Sequence, residues 1–429
     1  MPLWNVCNSM RVEKFIQFNP KIQLKKGTKA KKVDMDKLVP FTRKITGYIE
    51  ADFTGGSKFI NGDTLLARIT PCLENGKTAY VNVLEDKEVG FGSTEFIVLR
   101  AIEGISIPLF IYYLAVSPDF REIAIASMSG TSGRQRVDVK ALEQLEINLP
   151  PLEEQKRIAE VLGAFDDKIE LLQKQNKTLE DMAKALFKSW FVDFDVVRAK
   201  QKGLPKADIV REYHLTEELY DLFPSSFADS PLGPIPSGWE VKTIQDLGEV
   251  VCGKTPPTSH KEYYGGSVPF ITIPDMHNSI FANKTERYLT SQGEQAQPTK
   301  TLPPFSVCVS CIATPGLVTM TTTNSQTNQQ INSVIPHNLE AKFYNYYVLR
   351  SVADQIRAQG SGGSVFVNLN KTAFSKIKVL WADQSLQKLF TKESESYFNK
   401  ILNNLKQIQT LTELRDTLLP RLISGKIRV

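Results

Sequence analysis

The sequence predicts a mixed α/β (α+β) protein with two globular domains separated by a long antiparallel two-helix coiled coil. Two observations predict this architecture. A heptad pattern of apolar residues runs through residues 150–190, and a copy of it, displaced by 232 positions, lies near the other end of the chain. Because each copy follows a globular stretch, the chain is predicted to be an internal repeat with pseudo-two-fold symmetry.

The first long helix is predicted from spacings that alternate between four and three residues. Pro150 and Pro151 precede or begin the first turn, which tolerates proline, and Glu153 and Glu154 complement the helix dipole. At ~1.5 Å per residue, residues 153–188 would span roughly 54 Å, so the helix needs a partner to bury its seam. That seam comprises Ile158, Leu162, Phe165, Ile169, Leu172, Asn176, Leu179 and Leu186.

The partner helix is predicted in the same chain, in the same register. Its seam comprises Phe390, Tyr397, Ile401, Asn404, Ile408, Leu411 and Leu418. The flanks repeat as well, since GRQRV at 133–137 precedes the first helix much as GSVFV at 363–367 precedes the second. Such an unbroken heptad favours helix pairing over an ordinary domain core.

Two further predictions follow from the pairing. If the pair is antiparallel about a dyad near position 174, Asn176 and Asn404 meet, hydrogen-bond and fix the register at some cost in stability. A second apolar stripe is surplus to a two-helix seam, and it suits contact either with the globular domains or with a partner. Its members are Val161, Leu171, Phe187 and Phe191.

The predicted boundaries divide the chain into five segments. They are a first domain (1–151), a first helix (152–194), a connector (195–236), a second domain (237–381), and a second helix with its tail (382–429). The proline- and charge-rich connector is predicted to hold one short helix over 216–223. Residues 107–126 are predicted to form one helix of the first domain, matched by 343–357 in the second.

Composition bounds the class of protein. A chain of 429 residues suffices for two to three domains, and 41% hydrophobic with 23% charged residues is typical of a globular protein. The net charge of +5 is a mild basic bias, compatible with an anionic partner. No run reaches the ~18 apolar residues of a membrane span, and residues 1–5 open no signal peptide. Five scattered cysteines indicate a reducing cytoplasm.

Three motifs suggest catalysis, but each has a simpler interpretation. GEVVCGKT at 248–255 fits a phosphate loop, yet Pro256 and Pro257 oppose the helix that such a loop requires, which favours a lysine-bearing surface loop. LPPF at 302–305 lacks the polar first residue needed to bind a methyl-accepting amine. Cys308 and Cys311 have metal-ligand spacing but lie in a predicted strand without a second pair, so we expect core cysteines.

With no acid/base pair or triad in the sequence, the residues favour a binding or scaffolding protein and predict neither catalytic nor metal-binding residues. The whole chain resembles the specificity subunits of type I restriction–modification systems. The segments that carry the resemblance are ARITPCLENGK (67–77), GSTEFIVL (92–99), PPLEEQKRI (150–158), KSWFVDFD (188–195), GKTPPT (253–258), TNQQI (327–331) and LLPRLISGKIRV (418–429).

The resemblance implies two target-recognition domains, each reading one half of a split target in double-stranded DNA. The helices would set the unread spacer and dock two modification (methyltransferase) subunits, which would flip and methylate adenine. Motor–nuclease (restriction) subunits would add translocation and cleavage. No cofactor is then expected on this chain, since S-adenosylmethionine, ATP and Mg²⁺ would bind to the partner subunits.

For such a DNA reader, Lys and Arg supply phosphate contacts, whereas Asn, Gln and Arg read base edges. The candidates of the first domain are Lys25, Lys26, Lys29, Arg68, Asn75, Lys77, Arg134 and Arg136. Those of the second domain are Lys254, Thr255, Thr258, Lys261, Tyr263, Asn328, Gln329 and Gln330. All are also of types common in solvated loops, and Thr94-Glu95 and Asn328-Gln329 equally suit braces between strands.

Two alternatives stay open at this point. One is a catalytic DNA enzyme, either a stand-alone methyltransferase or an ATP-dependent protein that uses residues 248–255. The other is a structural adaptor that binds no DNA. Binding of S-adenosylmethionine or hydrolysis of ATP by the chain alone would indicate the first, and the absence of salt-sensitive DNA affinity would indicate the second.

Overall fold

The computed structural model describes residues 9–131, 133–277, 279–312, 314–360 and 369–429, with no side-chain description for 358–360. The predicted flanking repeat at 363–367 lies outside the described residues. The chain divides into two compact units. Unit 1 comprises Met1–Leu172 with Gln407–Val429, and unit 2 comprises Gln173–Lys406. Each unit therefore contains a globular domain and parts of both long helices.

Twelve α-helices lie within the described residues, and two of them are far longer than the rest. Both long helices have 40 residues and begin 232 positions apart, in the register that the heptads predict. The helices are α1 (Pro108–Val116), α2 (Pro118–Ala126), α3 (Val139–Gln144), α4 (Leu152–Phe191), α5 (Asp195–Gln201), α6 (Lys206–Glu212), α7 (Glu217–Leu222), α8 (Ile244–Leu247), α9 (Ser291–Gln295), α10 (Lys342–Gly360), α11 (Lys371–Ser375) and α12 (Gln384–Ile423).

The strands are short, and they too fall into two sets. The strands of unit 1 are β1 (Ser9–Arg11), β2 (Ile16–Phe18), β3 (Lys29–Val33), β4 (Ile49–Asp52), β5 (Ser57–Phe59), β6 (Thr64–Ala67), β7 (Thr78–Tyr80), β8 (Gly90–Gly92), β9 (Phe96–Ala101) and β10 (Glu146–Asn148). Those of unit 2 are β11 (Phe227–Ala228), β12 (Ile235–Pro236), β13 (Glu240–Thr243), β14 (Gly248–Cys252), β15 (Tyr264–Ile271), β16 (Phe281–Ala282), β17 (Arg287–Leu289), β18 (Val307–Ser310), β19 (Val318–Thr321), β20 (Gln326–Thr327), β21 (Ile331–Pro336) and β22 (Lys378–Trp381).

Unit 1 is built on two four-stranded sheets, ordered β2-β9-β6-β7 and β4-β3-β8-β5. Its main core buries the apolar helix α1 together with residues from both long helices. Ile158 and Leu162 of α4 lie in the same cluster as Leu419 and Leu422 of α12. Residues far apart in the sequence therefore complete one core.

Unit 2 is built on a five-stranded sheet, ordered β14-β21-β18-β19-β16, and a three-stranded sheet, ordered β17-β15-β20. An aromatic cluster from α4, α10 and α12 fills its core. Phe187 stacks on Tyr347 with ring centroids 5.1 Å apart and meets Phe390 edge-on at 5.6 Å. Phe191 contacts Tyr344 at 4.9 Å. Because Phe187 and Phe191 are buried in this core, those two members of the surplus stripe pack against the second domain.

Within each unit the long-helix segments run antiparallel. In unit 1, Asp166 of α4 pairs with Arg415 of α12, whereas the earlier Glu154 accepts a bond from the later Val429. In unit 2, Asn404 Nδ2 donates to Asn176 Oδ1 at 2.8 Å, which confirms the predicted asparagine pair. Every predicted seam residue is buried or half-buried.

One prediction about secondary structure was wrong and another was incomplete. Residues 107–126 form two helices, because Pro118 disfavours helical backbone at Ser117, which is extended with ψ 144°. The connector holds the predicted short helix as α7, but it also holds α5 and α6, and its apolar side chains Val197 and Ile209 are buried in the core of unit 2. No helix in the described parts of the chain is long and apolar enough to cross a membrane.

Candidate nucleic-acid interface

In the first domain, the candidates Arg68 and Arg136 are brought together around Glu95. Arg68 follows strand β6, and its backbone N–H donates to the carbonyl of Glu95 at 2.9 Å. Arg136 binds the Glu95 carboxylate with two nitrogens, Nε at 3.0 and 3.1 Å and Nη2 at 2.6 Å. The residue before β9 and the loop before α3 are thereby joined, so Glu95 is the brace that the sequence suggested.

This pair holds the Arg136 guanidinium in a defined place at the surface. The hydrogen bonds from Arg136 hold the pKa of Glu95 below its ordinary value, so the carboxylate stays ionised at neutral pH. The Arg136 side chain remains 46% exposed. A guanidinium held by a bidentate carboxylate keeps one edge available, and its orientation is set in advance. Arg136 is therefore a preorganised donor, whereas Arg134 is exposed in the preceding loop.

The turn that follows β6 places the other two candidates of this stretch differently. Asn75 is exposed in the turn, and its side chain is available to a ligand. The Lys77 ammonium is half-buried and donates to the Met35 carbonyl at 2.9 Å, so it is engaged in a structural bond. Ala67 N–H donates to Lys77 O at 3.1 Å, which keeps this turn beside Arg68.

The basic loop of the first domain lies elsewhere in the unit. Lys25, Lys26 and Lys29 are all exposed, and Lys29 begins β3. The opposite end of β3, at Val33, pairs with Gly92 shortly before Glu95. Four residues of strand span about 13 Å, so the structure does not bring the three lysines to the Arg136 group. They form a separate basic patch.

In the second domain, two polar loops are held together. The loop after β14 and the loop between β20 and β21 are joined by backbone bonds from Gly253 to Ile331, at 3.1 Å, and from Lys254 to Thr327, at 2.9 Å. A side chain at Gly253 would lie inside van der Waals contact with the Asn328 carbonyl, so only glycine allows this approach.

Four candidates meet at the junction of these loops. The Thr255 hydroxyl donates to Gln329 Oε1 at 2.8 Å. Asn328 Nδ2 donates to Gln330 Oε1 at 3.0 Å, and the Gln330 backbone N–H donates to Asn328 Oδ1 at 3.1 Å. The Gln329 side chain is exposed at the tip while its neighbours are half-buried, and Lys254 is exposed beside them. The sequence prediction therefore identified a real cluster of polar side chains.

Two of the remaining candidates line a neighbouring groove of about 550 Å³, and the third, Tyr263, is not part of its lining. Thr258 and Lys261 contribute to its wall, and Tyr263 stacks on His260 with ring centroids 4.8 Å apart. Arg287 also lines the groove and is exposed, although it was not among the predicted residues. The charged run Lys284–Arg287, whose last residue begins β17, was the available signal, but nothing local indicated that Arg287 lines the same groove as Lys261.

The motifs that suggested catalysis have structural roles. Residues 248–252 form strand β14, no helix begins in the six residues after it, and Lys254 is exposed, so the prediction of a surface loop is confirmed. Cys308 and Cys311 are buried, which confirms core cysteines. Burial raises the pKa of the Cys308 thiol to about 12 and that of Cys311 to about 11. Leu302 is fully buried and pairs with Ser325.

Comparison with known proteins gives this arrangement a family. The family described as type I restriction modification DNA specificity domain matches residues 19–181 and again residues 236–412. The HindI type I restriction enzyme specificity subunit of Haemophilus influenzae is 39% identical over 404 residues, which cover 85% of this chain and 86% of that protein. The MjaIX specificity subunit of Methanocaldococcus jannaschii is 26% identical over 326 residues, 75% of this chain and 69% of that protein.

A solved structure shares the fold. The type I restriction–modification S subunit from M. genitalium has a TM-score of 0.54 with 16% sequence identity, over 98% of each chain. A chain whose two halves each match a DNA specificity domain is a protein that recognises DNA sequence. It belongs to the family of type I restriction–modification specificity subunits.

Proposed function

We propose that each globular domain reads one half of a split DNA target and that the paired helices set the unread spacer between the halves. The observation that carries the proposal is the duplication. Two specificity-domain regions, 19–181 and 236–412, accompany two helices of 40 residues in matching register. Two readers joined by helices of fixed length suit a target with two specified halves and a constant gap.

The same proposal assigns the chemistry to other chains. The helices of this chain dock two modification subunits, and restriction subunits join where the system includes them. S-adenosylmethionine, ATP and Mg²⁺ are bound by those partners, and this chain is a targeting subunit without catalytic activity. The names of the relatives support the targeting role, because they are called specificity subunits.

The test is the methylation pattern of cells that express this chain with its modification subunit. We expect methylated adenines in a two-part motif with a fixed gap. Exchanging residues 237–381 for those of a relative should change one half of the motif and leave the other half and the gap intact. A motif without two parts, or one that changes in both halves, would contradict the division of labour.

The basic patch of the first domain gives a second test. Replacing Lys25, Lys26 and Lys29 by alanine should lower the slope of log affinity against log salt by about 3 if each contacts a phosphate. The matched control removes three exposed lysines scattered over the same unit, Lys14, Lys87 and Lys140. Equal slopes for the two variants would remove the patch from the interface. A salt-independent affinity of the wild-type complex would favour the adaptor alternative.

The catalytic alternative is tested on the purified chain alone. We expect no retention of radiolabelled S-adenosylmethionine and no release of phosphate from ATP in the presence of DNA. Because Lys254 would serve any nucleotide site at 248–255, Lys254→Ala is the matched variant. Activity in the wild type that this variant loses would establish the alternative.

A further inference from the structure

The tip of the second domain carries a side-chain amide that is exposed and yet held in one orientation. Gln329 is exposed at the turn between β20 and β21, and the Thr255 hydroxyl donates to its Oε1 at 2.8 Å. An exposed glutamine ordinarily samples many rotamers. A fixed one at a surface predicted to meet DNA suits the reading of a base edge.

The support beneath this pair extends well beyond one hydrogen bond. The loop that carries Thr255 is tied to the other loop by the backbone bonds from Gly253 and Lys254. Pro256 and Pro257 restrict its continuation, and Tyr264 donates its hydroxyl to the Pro256 carbonyl at 2.6 Å. The two loops therefore present Thr255 and Gln329 as one rigid group.

Thr255 and Gln329 together present a hydrogen-bond acceptor beside a hydrogen-bond donor. With its hydrogen given to Gln329, the Thr255 oxygen keeps its lone pairs for an incoming donor. Gln329 Oε1 keeps a second lone pair, and its Nε2 has two hydrogens to donate. In the major groove adenine offers an amino donor beside the N7 acceptor, whereas guanine offers two acceptors and cytosine one donor. The pattern of the pair complements adenine.

We propose that Thr255 and Gln329 form an adenine-reading pair for the half-site of the second domain. This inference rests on the proposed function, because it names the base that one loop cluster of the reader selects. Gln329 contacts the base, and Thr255 both orients the amide and supplies an acceptor. A good bidentate contact of this kind discriminates against the wrong base by about 5- to 150-fold.

The experiment uses the full chain in complex with its modification subunits and a duplex library with one half-site randomised at a time. Wild type should enrich adenine at one position of the second half-site. Gln329→Ala should lose about 5- to 150-fold selectivity there and leave the other half-site unchanged. Gln329→Glu should move the preference toward cytosine, since a carboxylate only accepts. Thr255→Val should weaken selectivity at the same position.

The controls distinguish a failure of the inference from a failure of the proposed function. Gln295→Ala removes an exposed glutamine of the same domain and should leave selectivity unchanged. Arg136→Ala marks the half-site of the first domain. If Gln329→Ala fails to fold by circular dichroism, Gln329→Glu and Thr255→Val still report on the pair. Unchanged selectivity in folded Gln329 variants, or a relaxed position that is not adenine, would overturn the inference. A wild-type complex without any two-part enrichment would instead overturn the proposed function.

Discussion

A buried ion pair in the helix segments of unit 1 gives a prediction with a measurable size. Asp166 is 3% exposed and accepts bonds from the Tyr113 hydroxyl at 2.7 Å and from Arg415 Nη1 at 2.5 Å. Burial, together with the nearby carboxylate, raises the pKa of Tyr113 far above its ordinary value, so its hydroxyl stays a donor. The carboxylate therefore has two partners, and only one of them is charged.

Replacing Arg415 by methionine should leave the carboxylate buried beside a single neutral donor. Two charges about 4 Å apart attract by about 4 kcal/mol at an effective dielectric constant of 20. Removing one partner of a buried pair typically costs about 3–5 kcal/mol. Since a domain is stable by only about 5–15 kcal/mol, we expect Arg415→Met to remove a large part of the stability of unit 1.

Unit 2 shows that the chain has another solution at the equivalent positions. There the repeat places Phe398 at the position of Asp166 and Ala183 at the position of Arg415. Phe398 stacks on Phe343 with ring centroids 3.8 Å apart. We therefore expect the triple variant Asp166→Leu, Arg415→Met, Tyr113→Phe to regain most of the loss. Replacing buried ion pairs by well-packed apolar groups is often neutral or stabilising by about 1–4 kcal/mol.

Urea unfolding, monitored by hydrogen exchange of peptides from residues 152–172, measures the loss of stability in unit 1, where the ion pair lies. Arg421→Met is the matched control, because Arg421 is exposed on the same helix. The reasoning would be refuted by a cost below about 1 kcal/mol for Arg415→Met. It would equally fail if the triple variant were as unstable as the single one.

Three further predictions are independent of this one. Replacing both Asn176 and Asn404 by leucine should stabilise unit 2 by about 1–3 kcal/mol in urea, because Asn404 Oδ1 is buried without a hydrogen-bond partner among the described residues. Either single leucine should destabilise unit 2, and a double variant less stable than the wild type would contradict the prediction. Because burial raises their pKa values, Cys308 and Cys311 should resist iodoacetamide at pH 8 until urea unfolds the domain, as read by peptide mass spectrometry; native-state labelling would refute it. Gly253→Ala should lower thermal stability by about 1–3 kcal/mol and weaken selectivity for the second half-site, and unchanged DNA selectivity would count against the loop junction.

The helices were predictable because their signal is local and repeated. The heptads gave helices close to Leu152–Phe191 and Gln384–Ile423, and the offset of the repeat was enough to predict the asparagine pair. The break at Ser117 was also visible in the sequence, since proline follows it. The apolar residues on both sides of Ser117 nevertheless outweighed that local rule in the prediction.

The candidate interface was predictable only in part. Gln329 and Thr255 were identified by residue type, but their hydrogen bond joins residues 74 positions apart, and no local pattern encodes it. The same is true of Arg136 and Glu95, which are 41 positions apart. Arg287 was missed because its place beside Lys261 depends on how β15 pairs with β17. The types of the side chains can be read from the local sequence, whereas their hydrogen-bond partners depend on the order of the strands in the sheets.

The division of unit 1 between distant parts of the chain has a consequence for synthesis. Residues 407–429 supply Leu419 and Leu422 to a core that otherwise forms from residues before 172. A ribosome adding about 5–20 residues per second needs roughly 10–50 seconds to travel that distance. The globular domain of unit 1 therefore keeps apolar surface exposed during this time, whereas unit 2, which is contiguous in the sequence, folds before it. A premature stop near residue 407 should accordingly destabilise unit 1 rather than unit 2, although unit 2 is the one that ends next to the stop.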